Sequence, residues 1–247
     1  MRYKLTVEYN GKDYHGWQVQ KNAITVQEVL ESALCKIGIK TTTVASGRTD
    51  SGVHAAGQVV HFDSDVKIPC DRLPLAINAY LPLDVAVVKC EIVSGDFNAR
   101  FSAKKKTYCY RFYVSRLRHP LLEINHYQVT KSLDLAEMRA AANEIEGKHD
   151  FKCFEAVGSK VVDTVRTVYE IRFETKDLIG GREIEIYVTG NGFLYNMVRI
   201  IAGTLLYVGQ GKLTAKDVRA IIEKGDRAMA GKTLPAKGLT LERVEYD

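Results

Sequence analysis

The sequence predicts an α+β protein of two α/β sandwich-like subdomains, each of β-α-β-β-α-β type with antiparallel or mixed sheets. Three observations carry that expectation. Of 247 residues, 46% are hydrophobic, 26% are charged and only five are proline, which is the composition of a folded mixed protein rather than a disordered chain. Period-two and period-3.6 stretches follow one another along the chain. The same rhythm also runs through twice, with a join around 94–105, so the domains are expected at 1–100 and 101–247. The exposed sheet faces, or the seam between the halves, are the expected working surface.

The elements follow in order. Residues 2–9 alternate, with Tyr3, Leu5, Val7 and Tyr9 on one face of a strand. A loop over 10–21 carries the single tryptophan, in GWQVQ. Thr25 caps a helix striped by Val26, Val29, Leu30, Ala33 and Leu34, with Glu28 placed for a capping box. A β-branched strand is expected over 58–62, a helix announced by Pro69 and Asp71 over 72–80, and a strand over 84–93. In the second half, 106–115 alternates as a strand, and 135–145 is a helix with a stripe of Leu135, Met138, Ala142 and Ile145. Residues 164–173 and 182–189 read as antiparallel neighbours turned by Gly180-Gly181. An apolar helix follows over 196–208, then a helix capped by Thr214 through Ile222, and a closing strand over 239–244.

Composition also excludes some classes. Five widely spaced cysteines, odd in number and without a CxxC pair, point to a reducing compartment and to no zinc knuckle. No histidine pair has HExxH spacing, and no Walker-type glycine loop is present, since GNGF at 190–193 is a lone GxG. The N-terminus turns polar early and no apolar run has the length of a membrane span, so a cytoplasmic protein without membrane attachment is expected. Lys plus Arg exceed Asp plus Glu by only 35 to 30, but the surplus is concentrated. Between 100 and 120 stand Arg100, Lys104, Lys105, Lys106, Arg111, Arg116 and Arg118 with no acid among them. Such a run either draws in a polyanion or forms a solvated face.

Six residues are weighed for chemistry. SGRTDSGVHA at 46–55 puts Arg48 two residues from Asp50 in a glycine-bounded loop, which is more than a turn requires. Asp50 is either a structural Asx-turn or a nucleophile or base held ionised by nearby cations. Arg199 interrupts the apolar run MVRIIAGTLLYV and needs an anion, a carboxylate or phosphate, unless it snorkels to the surface. Tyr108 and Tyr110 share a strand face beside the lysines, either as sheet core or as a base-stacking platform. His54 is read as a satisfied hydrogen-bonding histidine more readily than as a proton carrier.

These residues sit inside six segments: GWQVQ at 16–20, SGRTDSGVHA at 46–55, NARFSAKKKTYCYR at 98–111, HDFKCF at 149–154, GNGFLYNMVRIIAGTLLYVG at 190–209 and LPAKGLTL at 234–241. In that order they resemble the bacterial tRNA pseudouridine synthase A family over almost the whole chain. The resemblance implies isomerisation of uridine to pseudouridine at positions 38, 39 and 40 of the tRNA anticodon stem-loop. It implies no metal or organic cofactor, a homodimer gripping one tRNA, and an RNA cleft at the seam of the subdomains. By the same resemblance Asp50 is the catalytic aspartate, Arg199 the arginine paired with it, Tyr108 the tyrosine that stacks on the target base, and Arg48 its companion arginine. Substrate contacts are expected from Arg48, Tyr108, Lys104, Lys105, Lys106 and Arg111. Lys232 stands where relatives often have proline and Cys109 where they often have a charged residue, neither at a catalytic position. Moving a glycosidic bond from N1 to C5 requires the base out of its stack. Asp50 either attacks C1′ or abstracts a sugar proton. A noncatalytic RNA-binding module and a metal-free glycosidic hydrolase are the competing classes.

Overall fold

The computed structural model describes residues 1–158 and 161–246. It divides into two compact units, one formed by Met1–Lys104 with the chain's end from Thr240 onward, the other by Lys105–Leu239.

In the first unit, β1 (Arg2–Tyr9) lies between β3 (His54–Asp63) and β4 (Val85–Val93), antiparallel to both. Its alternation buries Tyr3, Leu5, Val7 and Tyr9, as the sequence predicts. The two-residue β2 (Val44–Ala45) pairs with β3, and β10 (Leu239–Glu245) joins β3 in parallel through Thr240 and Leu241. With neighbours on both edges, β3 is buried along most of its length and starts four residues earlier than its β-branched run at 58–62 suggests. Gly57 allows the close pairing, because a Cβ there would lie 2.4 Å from the Glu242 carbonyl oxygen. Helix α1 (Val26–Lys36) starts where expected, with Thr25 Oγ1 accepting the Glu28 amide at 3.4 Å. Helix α2 (Leu73–Asn78) is shorter than the expected 72–80. No side chain caps its start, and the Asn78 amide turns aside to bond the Val87 backbone in both directions, at 2.8 and 3.0 Å.

In the second unit the strand order is β5 (Lys105–Val114), β9 (Gly181–Gly190), β8 (Val165–Leu178), β7 (Gly147–Asp150), antiparallel throughout. The short β6 (Tyr127–Val129) pairs in parallel with β5. Strand β8 runs five residues beyond the expected end, because its polar tail stays in register with β9 until Leu178 meets Gly181 across the turn. Gly180 holds φ +76 there, a conformation that favours glycine. Helix α3 (Leu135–Ile145) has the expected bounds and is capped by Asp134, whose Oδ1 accepts from the Ala136 and Glu137 amides. Helix α4 (Met197–Gly209) is buried on every side except near Arg199 and Tyr207. Helix α5 (Ala215–Lys224) opens on a full capping box between Thr214 and Asp217. The fold is thus α+β with mixed sheets, as expected.

The 97–101 segment is tied to the first unit by His61, whose Nδ1 accepts the Ala99 amide at 3.1 Å. Ala99 in turn accepts the Tyr246 hydroxyl, and Phe97 packs on the Tyr246 ring. Burial, aided by the Arg2 charge, lowers the pKa of His61. The neutral ring is favoured in the fold, so below the ordinary histidine pKa of about 6.5 the unfolded chain takes up the proton first and stability falls. Urea melts between about pH 7 and pH 5 should show that decline. His61→Asn, which can keep an acceptor for Ala99, should flatten it. An unchanged slope would remove His61 as its source.

Candidate active site

The segment 46–55 leads from β2 into β3, and its backbone is fixed at nearly every residue. The Ser46 amide donates to the Val59 carbonyl at 2.8 Å, the Ser46 hydroxyl donates to Gln58 Oε1 at 2.7 Å, and Gln58 Nε2 donates to the Gly47 carbonyl at 2.9 Å. Thr49 Oγ1 and the buried Tyr9 hydroxyl share a 2.7 Å bond. The Trp17 amide donates to the Thr49 carbonyl at 3.1 Å. Gly16 makes that approach possible: its φ is +85, and a Cβ there would lie 2.5 Å from the Thr49 oxygen. The carbonyls of Gly16 and Trp17 then accept the Val26 and Gln27 amides, satisfying donors at the start of α1 that have no partner within the helix. Beyond Asp50 the chain reverses: the Gly52 amide donates to the Tyr14 carbonyl and the Val53 amide to the Asp50 carbonyl. Asp50 is left half-buried and Arg48 exposed at the turn. His54 is 5% exposed and its Nδ1 accepts the Gly11 amide at 3.1 Å, the satisfied role that the sequence favours.

The second unit carries the aromatic and the guanidinium. Tyr108 on β5 is half-buried and meets Phe193 edge-on, with centroids 5.3 Å apart and planes at 89°. The GNGF turn delivers Phe193: Asn191 exchanges bonds with the Thr167 backbone, and Gly190 leaves the ring room that a Cβ would take at 3.1 Å. Tyr110 shares the strand face but not the exposure. It is fully buried, its hydroxyl donates to the Pro235 carbonyl at 2.8 Å, and Gly238 lies against its ring. Of the two alternatives open for the pair, Tyr110 is sheet core, covered by the 235–238 segment, and Tyr108 is the half-exposed ring.

Arg199 is half-buried on α4. Its Nε donates to the Leu234 carbonyl and its Nη1 to Asn196 Oδ1, both at 2.6 Å. Asn196 sits just before α4 with φ +60, a left-handed conformation that asparagine tolerates better than most residues, and this aims its side chain at Arg199 rather than at the helix start. Leu234 is in reach because α4 is small where the closing segment crosses it. A Cβ on Gly203 would lie 1.9 Å from the Lys232 carbonyl oxygen, and Thr204 Oγ1 accepts the Gly231 amide at 2.8 Å.

The basic residues differ among themselves. Lys104 and Lys105 are exposed, with Lys105 Nζ 5.4 Å from the Tyr169 ring centroid, and Lys106 is half-buried. Arg111 does not stand in open solvent: its Nε donates to Glu185 Oε1 at 2.6 Å, and its side chain is 15% exposed. Phe101, 79% exposed with the Arg100 guanidinium over its ring, adds an aromatic to the first unit's surface that periodicity does not single out. Among the described residues no three His, Cys, Asp or Glu side chains gather to hold a metal ion, and no helix is long and apolar enough to cross a membrane.

Residues 5–102 and 141–247, which include the Asp50 loop, Arg199 and the closing segment, match the family described as tRNA pseudouridine synthase. The chain belongs to the tRNA pseudouridine synthase family. Two relatives named tRNA pseudouridine synthase A make the match nearly end to end. That of Ruminiclostridium cellulolyticum is 48% identical over 98% of both chains, and that of Bacillus subtilis is 48% identical over 100% of both. A solved archaeal box H/ACA sRNP complex overlaps 96% of this chain and 58% of its own at 13% identity and a TM-score of 0.41, too little to bear on the fold. Membership makes the chain a tRNA-modifying isomerase, and the competing classes of simple RNA binder and hydrolase fall away. Gly16, Trp17, Phe193, Asn196 and Leu234 contact the segments that carry Asp50, Tyr108 and Arg199 in ways that the sequence alone does not reveal. Glycines in GWQVQ and GNGF are visible as a signal, whereas the left-handed Asn196 leaves none.

Gly203→Ala should force α4 and the closing segment apart and cost about 1–3 kcal/mol of stability in a urea melt. Gly192→Ala, whose nearest atoms are 3.8 Å away, should stay within about 0.5 kcal/mol of the parent. Equal effects would mean that the close approach at Gly203 does not govern this packing.

Proposed function

We propose that this pseudouridine synthase acts on positions 38, 39 and 40 of the tRNA anticodon stem-loop, as a cytoplasmic homodimer, with Asp50 as its catalytic carboxylate. The observation that carries the proposal is the immobilised Asp50 loop, held on one side by Trp17 and Tyr9 at Thr49 and on the other by Tyr14 at Gly52. A carboxylate presented from a fixed backbone needs no reorganisation when charge develops at the sugar. In one route Asp50 bonds to C1′ as N1 leaves and is displaced when C5 returns. In the other it takes a sugar proton and gives it back. Both consume and regenerate one carboxylate and leave the strand intact, so neither needs a redox partner.

The remaining roles follow the chemistry of each side chain. Tyr108, braced by Phe193, stacks on the extruded uracil. Arg199 is the cation that keeps Asp50 ionised, and its two anchors at Leu234 and Asn196 keep the guanidinium from turning away. Arg48 contacts a phosphate or the displaced partner base, and Lys104, Lys105 and Lys106 contact phosphates. Arg111, tied to Glu185, serves the substrate by fixing the strand next to Tyr108 rather than as an open phosphate contact. The positions modified and the dimer rest on the family resemblance, and the cellular location on the cysteine usage and the lack of a membrane-length apolar run in the sequence.

Asp50→Asn should abolish tritium release from C5-labelled tRNA while filter binding stays within about tenfold of the parent, since phosphate contacts supply most of the affinity. Turnover within about tenfold of the parent would take Asp50 out of the mechanism. Carbodiimide mapping of the modified tRNA should place the adducts at 38, 39 and 40, and adducts elsewhere would overturn the site assignment.

Changing Lys104, Lys105 and Lys106 together to alanine should flatten the dependence of log K on log salt by up to about 0.9 for each duplex phosphate that is no longer neutralised. An unchanged slope would return the run to a solvated face.

A further inference from the structure

Two thiols meet in the first unit, in a place that the isomerisation chemistry does not use. Cys70 lies in the turn that opens α2 and Cys90 lies on β4, and their Sγ atoms are 2.9 Å apart. Both are half-buried, which leaves a small reagent a way in. Both are also held by their backbones. Cys90 pairs with Leu5 across β1, while the amides of Arg72 and Leu73 both donate to the Pro69 carbonyl beside Cys70. The Asn78 bonds to Val87 fasten the end of α2 to β4 as well. Sulfurs placed by two fixed backbones need to close only to the bond length of about 2 Å.

We propose that Cys70 and Cys90 are a covalent modification site, forming a reversible intramolecular disulfide by exchange with a low-molecular-weight disulfide. In the first step the Cys70 thiolate attacks one sulfur of the small disulfide and expels the other as a thiol, leaving a mixed disulfide on Cys70. In the second, Cys90 gives up its proton and attacks the Cys70 sulfur, expelling the second small thiol. The protein loses two hydrogens and two electrons, and the small disulfide is reduced to two thiols. Burial, then the contact with Cys70, raises the pKa of the Cys90 thiol, and the proposal gives Cys90 the second, resolving step.

The other cysteines define the contrast. Cys109 and Cys153 are buried, and Cys35 is exposed. Cys35 reports that the reagent has reacted, and the 70–90 pair reports whether a neighbour resolves the adduct. Two sulfurs do not complete the tetrahedral ligand set of a structural zinc, and among the described residues no third ligand joins them. The bond would close the segment carrying α2 onto β4 and restrict the unfolded chain, which stabilises the oxidised protein.

The test treats the full chain with excess oxidised glutathione, blocks the remaining thiols by alkylation and maps the digest by mass. The expected product is a Cys70–Cys90 linked peptide two hydrogens lighter than the sum of its parts, formed while Cys35 carries glutathione and reversed by dithiothreitol. Cys90→Ser should leave a stable glutathione adduct on Cys70, and Cys70→Ser should leave Cys90 largely unmodified. The oxidised Cys35→Ser protein should melt several degrees above its reduced form. A wild-type digest in which Cys35 is modified but Cys70 retains glutathione or stays free, with no linked peptide, would overturn the proposal. So would a lower melting temperature for the oxidised form.

Discussion

The Trp17 amide reaches the Thr49 carbonyl at 3.1 Å because residue 16 has no side chain and a left-handed φ. Much of the first unit follows from that contact. With Gly16 and Trp17 seated against Thr49, their own carbonyls face the start of α1 and accept its first amides, so one short segment supports both the helix and the loop. The loop then has few ways to move. Thr49 is bonded through its side chain to Tyr9 in the middle strand of the sheet, and the turn after Asp50 is bonded to Tyr14. A carboxylate on an ordinary surface loop would sample many positions, and each would have to be given up when substrate bound. Here that ordering cost falls on folding rather than on binding.

The second unit reaches the same end by the same device with different residues. A side chain is withheld at Gly203, the Lys232 backbone comes down onto α4, and the Leu234 carbonyl arrives where Arg199 Nε can donate to it. The guanidinium is therefore oriented by a main-chain oxygen and by Asn196, both neutral acceptors. Both anchors hold the direction of the guanidinium on α4. Arg111 is held on β5 by an ion pair with Glu185.

Long, periodic elements are legible in the sequence, and short ones are not. Helix α3 has its expected bounds because its apolar stripe and its Asp134 cap agree, and the β8–β9 turn is visible in its glycines. Strands β2, β6 and β7 escape because two to four residues cannot show a period, and their pairing is set by the neighbour that they lie against. At the candidate site, Asp50, Arg48 and Arg199 stand out as charges in unusual company. The groups that hold them do not stand out: they are backbone carbonyls at Thr49 and Leu234, which carry no sequence signature, and glycines whose purpose is apparent only once another strand of chain lies 2 Å to 3 Å from the missing Cβ.

Tyr108 and Tyr110 mark the boundary between the two kinds of information. Strand period puts both rings on one face of β5, and nothing in their immediate sequence distinguishes them. Their difference is written 125 residues downstream, where Pro235 accepts the Tyr110 hydroxyl and Gly238 allows the chain to lie on its ring. Burial pushes the Tyr110 phenol up and keeps it a neutral donor, so it works as a fastener for the segment that also supplies Leu234 to Arg199. Tyr108 is left half-exposed with Phe193 edge-on to its ring. One tyrosine therefore holds the closing segment in place and the other remains partly exposed. The assignment is made by the segment that covers one of them, a long-range fact that local sequence cannot contain.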